Sequence, residues 1–464
     1  MASAMTRVLI VGAGPAGIRA AQVLVAAGLH PVVVDEGARA GGQIYRRPPE
    51  NFQRSSKVLY GSEAAKADAL HQCFEQMLGL GQLGYHMRAS VLGLGAGQAQ
   101  VLQADRVHTI AYDRVILATG ATDRLAPVPG WQSAGVYSLG ATQIALKAQG
   151  VALGRRMVLA GSGPLLTLVA AQLLKAGARV AAVLDTSTLR TQARGFAGMA
   201  LARPGVALRG LSLRAQLGRR YHAGVQLDRI ETDATGPVAM HWRDAKGRAR
   251  VSACDMVGMG WHLRAETHLA DLAGVTFDWD KTSAQWLPRT DAFGRGGDGV
   301  YLAGDGLRIL GADGAELAGR LAATACLIDA GLPAPDARAT LKAIGRMERF
   351  ATAMQRGFPW PAQMVRALPD ETVLCRCESI SAGDLRATLA LSGPEANRAK
   401  SLGRVGMGRC QGRYCQLAGA EVIAAQAGLH PAQVGRLRGQ PPVRPAPVDA
   451  YIASEPENAA QSSA

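Results

Sequence analysis

The chain has 464 residues, 48% of them hydrophobic, enough for about three domains at roughly 150 residues each, and this balance excludes a disordered polymer. The formal net charge of +15 raises the question of nucleic acid, but the arginines are scattered and aromatic residues make up only 5%, so a nucleic-acid partner is not predicted. A basic surface serves equally to attract anionic cofactors, an acidic partner protein or an anionic lipid surface, and charge alone does not choose among them.

The chain opens with Arg7–Val11, which reads as a short apolar strand followed by a turn at Gly12–Gly17 and a helix over Ile18–Ala27 closed by Gly28. The apolar run is too short for an export signal, so a cytoplasmic location is expected, and the seven cysteines point to metal ligands or free thiols rather than disulfides. Val32–Val34 forms the next strand and ends at Asp35. Gly12-x-Gly14-x-x-Gly17 therefore stands between a strand and a helix with an acid in register, the full dinucleotide-binding pattern. Its first glycine permits the tight turn, its second lets pyrophosphate approach the backbone, and its third allows close helix packing. Gly12, Gly14, Pro15, Ala16, Gly17, Asp35 and Glu36 are the predicted nucleotide-binding residues, with Asp35 holding the ribose hydroxyls.

Further along, Asp113–Gly120 reads as a buried strand and Gly299–Asp305 as another. Gly41-Gly42-Gln43, Ala118-Thr119-Gly120 and Gly304-Asp305, in that order, resemble the recurring elements of flavoproteins with two dinucleotide folds. FAD is the expected cofactor, with Gly42, Gln43, Ala118, Thr119, Gly120, Gly304 and Asp305 beside it; the alternative for Asp305 is a cap on the following turn.

A second strand–turn–helix–strand unit runs over Met157–Ala160, Gly161–Pro164, Leu165–Ala176 and Arg179–Leu184. Leu166 stands where its third glycine belongs, which leaves three options at Gly161 and Gly163: NAD(P), an adenine nucleotide held structurally, or an empty fold. The predicted architecture is α/β, two Rossmann-like domains with the second inserted in the first, plus a small helical C-terminal domain. The boundaries are 1–134 and 256–350 for the first domain, 135–255 for the insertion, 351–369 for a Pro-punctuated linker, 370–437 for a cysteine module and 438–464 for an extended or disordered tail.

Cys375-x-Cys377 and Cys410-x4-Cys415 make the cysteine module a candidate metal site. Zinc sites favour pairs separated by two to four residues, and the single-residue gap fits poorly; iron and sulfide explain it better. Four thiolates leave an oxidised [2Fe-2S] cluster with a charge of about minus two, which Arg376, Arg409 and Arg413 are positioned in sequence to offset. Ser381-Ala382-Gly383-Asp384 resembles a capping box, so one helix is predicted just after Cys377 and another after Cys415. Cys73, Cys254 and Cys326 are isolated and make no redox pair.

CRCE at Cys375–Glu378 with GMGRCQGRYC at Gly406–Cys415 resembles the bacterioferritin-associated-ferredoxin type of [2Fe-2S] domain. VDEGARAGGQIYRR, LATGATDRLAPVPGW and LAGSGPLL, in this order, resemble the α subunits of heteromeric bacterial flavin dehydrogenases: opine (octopine or nopaline) oxidases, D-hydroxyproline dehydrogenases and hydrogen cyanide synthase. The resemblance covers about Thr6 to Gly428 and departs from the family pattern at Met256–Leu269, where Ala265 stands near the place of a proline. It implies a D-amino-acid-oxidase-like β subunit that carries its own FAD and oxidises the substrate. It further implies FMN at a subunit boundary in some relatives, a downstream electron acceptor, a complex that can sit peripherally on the inner membrane, and no substrate-oxidising residue in this chain. The alternatives are a stand-alone NAD(P)H-dependent ferredoxin-type reductase and a binding scaffold or redox sensor.

Overall fold

Four consecutive apolar residues, Val8–Val11, can be buried only in a strand covered on both faces, and they form a central strand of a six-stranded sheet. In the computed structural model, which describes residues 6–52 and 54–452, the sheet order is Arg295–Gly297, Val300–Leu302, Arg114–Leu117, Val8–Val11, Val32–Asp35 and Gly84–Met87. All neighbours are parallel except the first pair. Val11 lies opposite both Leu117 and Val34, so Gly12, Asp35 and Ala118 emerge together at the carboxyl edge of the sheet. That edge is where open α/β sheets bind ligands. Helices Pro15–Ala26 and Gly311–Asp329 cross beside it at backbone contact, since a Cβ on Gly319 would lie 2.0 Å from the Ala16 carbonyl oxygen.

A five-stranded parallel sheet builds the second domain, in the order Tyr221–Ala223, Val180–Asp185, Met157–Ser162, Met256–Trp261 and Val136–Ser138. The insertion therefore extends past residue 255: Met256–Trp261 pairs along its whole length with Met157–Ser162, because its fully buried run needs cover on both faces. The expected linker is also largely structured. Helix Arg338–Gly357 continues beyond Phe350 to pack on helix Leu189–Ala202, and a short helix, Ala362–Arg366, packs on helix Gln416–Ala427.

The cysteine module comprises a hairpin, Val373–Cys375 with Ile380–Ser381, and helices Ala382–Ser392, Ala396–Gly403 and Gln416–Ala427. Ser381 and Asp384 form both halves of the capping box. Leu374, Leu385 and Val422 share one continuous core with Val158 and Trp261 of the second domain. Beyond it, residues 438–448 are irregular and Asp449–Ile452 form a short helix, and the segment is anchored rather than free. Val443 is buried and its N–H donates to the Leu92 carbonyl, while Asp271 accepts from Arg436, Arg438 and the Gly439 N–H. Composition alone missed this because the anchoring partners lie far back in the chain. The rest of the predicted tail, 453–464, lies outside the described residues. Among the described residues no helix is long and apolar enough to cross a membrane.

Candidate functional site

The first glycine turn is built by contacts that leave no room for side chains. Gly12 has φ +107°, and a Cβ there would meet the Ala118 carbonyl oxygen at 2.3 Å; one on Gly17 would meet the Gly12 oxygen at 1.8 Å. Gly14 differs, because its nearest neighbour in that direction is Gly42 Cα at 3.7 Å, so open space lies over the turn where the helix N-terminus begins. Gly304 closes on Ala16 and Gly306 on Thr119, which brings Gly12, Gly14, Pro15, Ala16, Gly17, Gly42, Ala118, Thr119, Gly120, Gly304 and Asp305 to one crevice. Gln43 follows Gly42 and is exposed. The open cradle over Gly14 fits the pyrophosphate of FAD.

The two acids after the second strand divide their roles differently from the expectation. Asp35 accepts from the N–H groups of Ala13 and Gly37, both at 2.6 Å, so it braces the glycine turn rather than facing a ribose. Glu36 is the more exposed acid and pairs with Arg444 at 2.5 Å. Asp305 Oδ1 accepts from the N–H of Leu310 at 2.9 Å and of Gly311 at 3.2 Å, so it does cap the following turn while standing at the crevice.

In the cysteine module the four thiols stand close together, Cys375 bonded to Cys415 and Cys377 to Cys410, with Cys415 also feeling Cys410 and Cys377. The bond from Cys415 comes first among the causes that bring the Cys375 thiol down to about 6, and the N–H groups of Gly406, Glu378 and Cys377 reinforce it. Gly408 packs on Cys377, where a Cβ would lie 2.2 Å from the cysteine Cβ. Among the described residues no three His, Cys, Asp or Glu side chains converge on one ion-sized position. Two thiol pairs suit two irons with two thiolates each better than a single tetrahedral zinc.

The arginines near these thiols are not all those expected. Arg376 stacks on Trp131 at 5.1 Å, and Arg413 pairs with Glu266 while its Nη1 donates to the Cys410 carbonyl at 3.2 Å. Two cations that the local spacing did not single out also stand by the thiols: Arg264, near Cys410 and Cys415, and Lys400, near Cys415.

Arg264 belongs to a buried network that joins the cysteine loop to the flavin crevice. Glu266 receives Arg413 Nε at 2.7 Å and Nη2 at 3.1 Å, and its Oε1 lies 2.7 Å from His268 Nδ1. His268 Nε2 reaches the Gln411 carbonyl, and Arg264 donates to the Arg413 carbonyl at 2.9 Å. On the other side, Thr119 Oγ1 donates to the Glu266 carbonyl at 2.7 Å, and the Glu266 N–H donates to the Gly120 carbonyl at 3.0 Å. Burial would raise the Glu266 carboxyl, but the bond from His268 and the charges of Arg413 and Arg264 hold it well below the usual carboxylate range. Sequence reasoning missed this network, although Arg264, Glu266 and His268 alternate in an otherwise largely apolar stretch, the spacing of one face of an extended segment.

The second glycine turn is geometrically intact but crowded. A Cβ on Gly161 would meet the Gly260 oxygen at 1.8 Å, and Leu166 is fully buried in the helix packing position. Cys73, Cys254 and Cys326 make no disulfide, and burial pushes the Cys254 thiol up to about 11 and that of Cys326 to about 12.

Residues 6–325 match the Pyridine nucleotide-disulphide oxidoreductase family. The opine oxidase A subunit of Rhizobium meliloti is 36% identical over 460 residues, spanning 94% of this chain and 85% of that protein. Hydrogen cyanide synthase subunit HcnB of Pseudomonas aeruginosa is 30% identical over 466 residues, spanning 96% of this chain and 98% of that protein. The crystal structure of L-proline dehydrogenase from P. horikoshii shares the fold, with a TM-score of 0.69 at 19% identity over 97% of this chain and 80% of that one. The chain is thus an oxidoreductase of the Pyridine nucleotide-disulphide oxidoreductase family, and within it belongs with the opine oxidase A subunits and HcnB.

Proposed function

We propose that this chain is the electron-transfer α subunit of a heteromeric flavin-dependent dehydrogenase acting on an amine, opine or imino acid. A D-amino-acid-oxidase-like β subunit would oxidise the substrate. The turn at Gly14 would hold FAD, which would supply two-electron chemistry, and Cys375, Cys377, Cys410 and Cys415 would hold a [2Fe-2S] cluster, which would supply one-electron transfer towards a downstream acceptor. The observation that carries the reading is the Glu266 network, which fixes the loop of Cys410 and Cys415 against the backbone of Thr119 and Gly120. At the flavin crevice Asp35 and Asp305 hold backbone N–H groups, and Thr119 holds the Glu266 carbonyl. These bonds suit groups that position a cofactor.

The chain's own residues have three tasks in this scheme. The turn at Gly14 and the helix it opens receive the pyrophosphate, the amide groups around Cys375 hold a sulfur charge, and Arg264 and Lys400 balance the cluster from the protein side. Similarity to proteins named as subunits, those of opine oxidase and hydrogen cyanide synthase, supports the heteromeric reading.

The experiment is to purify the complex from its native host, measure iron and acid-labile sulfide, and reduce it with opines, proline derivatives and glycine. About two irons per chain and a substrate-dependent paramagnetic signal are expected. Serine replacing any one of the four cysteines is expected to lower iron while FAD stays bound. Zinc in place of iron, or substrate reduction that never yields the signal, overturns the reading.

A further inference from the structure

The two dinucleotide folds invite a comparison at equivalent positions. In this pattern the second glycine is the residue whose missing side chain makes room for pyrophosphate. At Gly14 that room is open, with the nearest atom, Gly42 Cα, 3.7 Å from a Cβ position. At Gly163, φ +101°, the same direction is filled by the imidazole of His262, with Cε1 at 2.9 Å, Nδ1 at 3.0 Å and Nε2 at 3.2 Å.

His262 does not stand there alone. Its Nε2 lies 2.7 Å from the Phe358 carbonyl oxygen, and the Phe358 ring meets it edge-on with centroids 6.2 Å apart. The preceding residue, Gly357, packs against helix Leu189–Ala202, its Cβ position 3.2 Å from Gly195 Cα and 3.7 Å from the carbonyls of Thr191 and Gln192. Trp360, two residues on from Phe358, lies under the Arg124 guanidinium at 4.0 Å. The segment 357–360 thus crosses the carboxyl ends of the second sheet, from the helix after Asp185 to the turn at Gly163.

The acid that would read a ribose is also occupied. Asp185 has no exposed surface and accepts from the Ser187 N–H and the Tyr221 hydroxyl, both at 2.8 Å. In the first fold Glu36 offers an exposed carboxylate one residue after Asp35, whereas the residue after Asp185 is Thr186, bonded by Trp261 Nε1 at 3.0 Å. The family takes its name from pyridine nucleotides, and the residues at this second crevice do not fit one.

We infer that the second dinucleotide crevice is closed by the chain's own His262 and Phe358, so that this fold seats the strap leading to the cysteine module instead of a nicotinamide nucleotide. The inference stands apart from the heteromeric reading, since it concerns only contacts within this chain. Its physical content is steric: pyrophosphate and the imidazole need the same volume.

The test uses the full-length FAD-loaded chain, titrated calorimetrically with NADH, NADPH and ADP up to about 1 mM, a concentration that detects even weak sites. No saturable heat is expected, and no bleaching of the flavin. The His262→Ala variant, checked for fold by circular dichroism and for flavin content, is expected to gain ADP binding at least tenfold over the wild type. Saturable NAD(P)H binding to the wild type overturns the inference, as does a folded His262→Ala chain that gains none. Binding without flavin reduction would leave the relay reading intact, because that reading fails on the cluster signal and not on nucleotide affinity.

Discussion

Arg413 and Glu266 form a two-point ion pair, 2.7 Å and 3.1 Å long, between the cysteine loop and the segment lining the flavin crevice, with both side chains buried. An isolated charge at either position would be costly, so the pair acts as a clasp whose removal is felt on both sides. Arg444 lies beside it, 4.0 Å from Glu266 and paired with Glu36, which draws the C-terminal segment into the same arrangement.

Glu266→Gln leaves Arg413 buried without its paired carboxylate. A loss of about 3 kcal/mol of stability is expected, since breaking one partner of a buried pair leaves the other uncompensated. Urea unfolding measures it, and if the proposed relay holds, stopped-flow reduction reports slower electron transfer from the flavin to the cysteine module. Unchanged stability would mean that the pair does not clasp the two modules.

Gly14→Ala separates cofactor binding from folding. Gly14 has φ −79°, which alanine adopts freely, and the new Cβ makes only an ordinary contact at 3.7 Å. The variant is expected to fold with near wild-type stability yet retain FAD at least about tenfold less tightly, about 1.4 kcal/mol, because the methyl group fills the pyrophosphate cradle. Gly17→Ala, by contrast, drives a Cβ to 1.8 Å from the Gly12 oxygen and should fail to fold. Flavin-to-protein absorbance ratios and thermal melts distinguish the two.

Burial lowers the His262 imidazole to about 4. The unfolded chain takes up this proton below about pH 6.5, while the folded chain does not until about pH 4, so stability is lost as pH falls through that window. His262→Asn keeps a donor for the Phe358 carbonyl but cannot titrate. At pH 5 the wild type should lose about 2 kcal/mol more, relative to pH 7, than this variant. Parallel pH profiles from chemical denaturation would expose the idea as wrong.

Truncation after Leu437 removes Val443 from the core and strips Arg438 and the Gly439 N–H from Asp271. A loss of about 2 to 3 kcal/mol is expected, chiefly from the buried valine and the lost bonds to the buried Asp271 carboxylate. A melting temperature unchanged by the truncation would show that the anchored segment contributes nothing.

Features that depend on short-range pattern were legible along the chain. The turn at Gly12–Gly17, the capping box at Ser381 and Asp384 and the helix after Cys415 follow from steric and hydrogen-bonding demands confined to a few neighbouring residues. Which partner each buried polar group takes is settled by packing between distant segments, and no local pattern carries it. Asp35 and Glu36 are adjacent and chemically alike, yet the fold turns one onto the Ala13 and Gly37 amides and the other onto Arg444, 408 residues away. Arg413 stands in sequence among the cysteines and keeps one bond to the Cys410 carbonyl, but its charge is paired with the carboxylate that packing brings nearest, and that is Glu266. The closure of the second crevice was equally hidden, because the glycines at 161 and 163 describe only the turn. Whether space remains above that turn depends on where His262 and Phe358 are folded back against it.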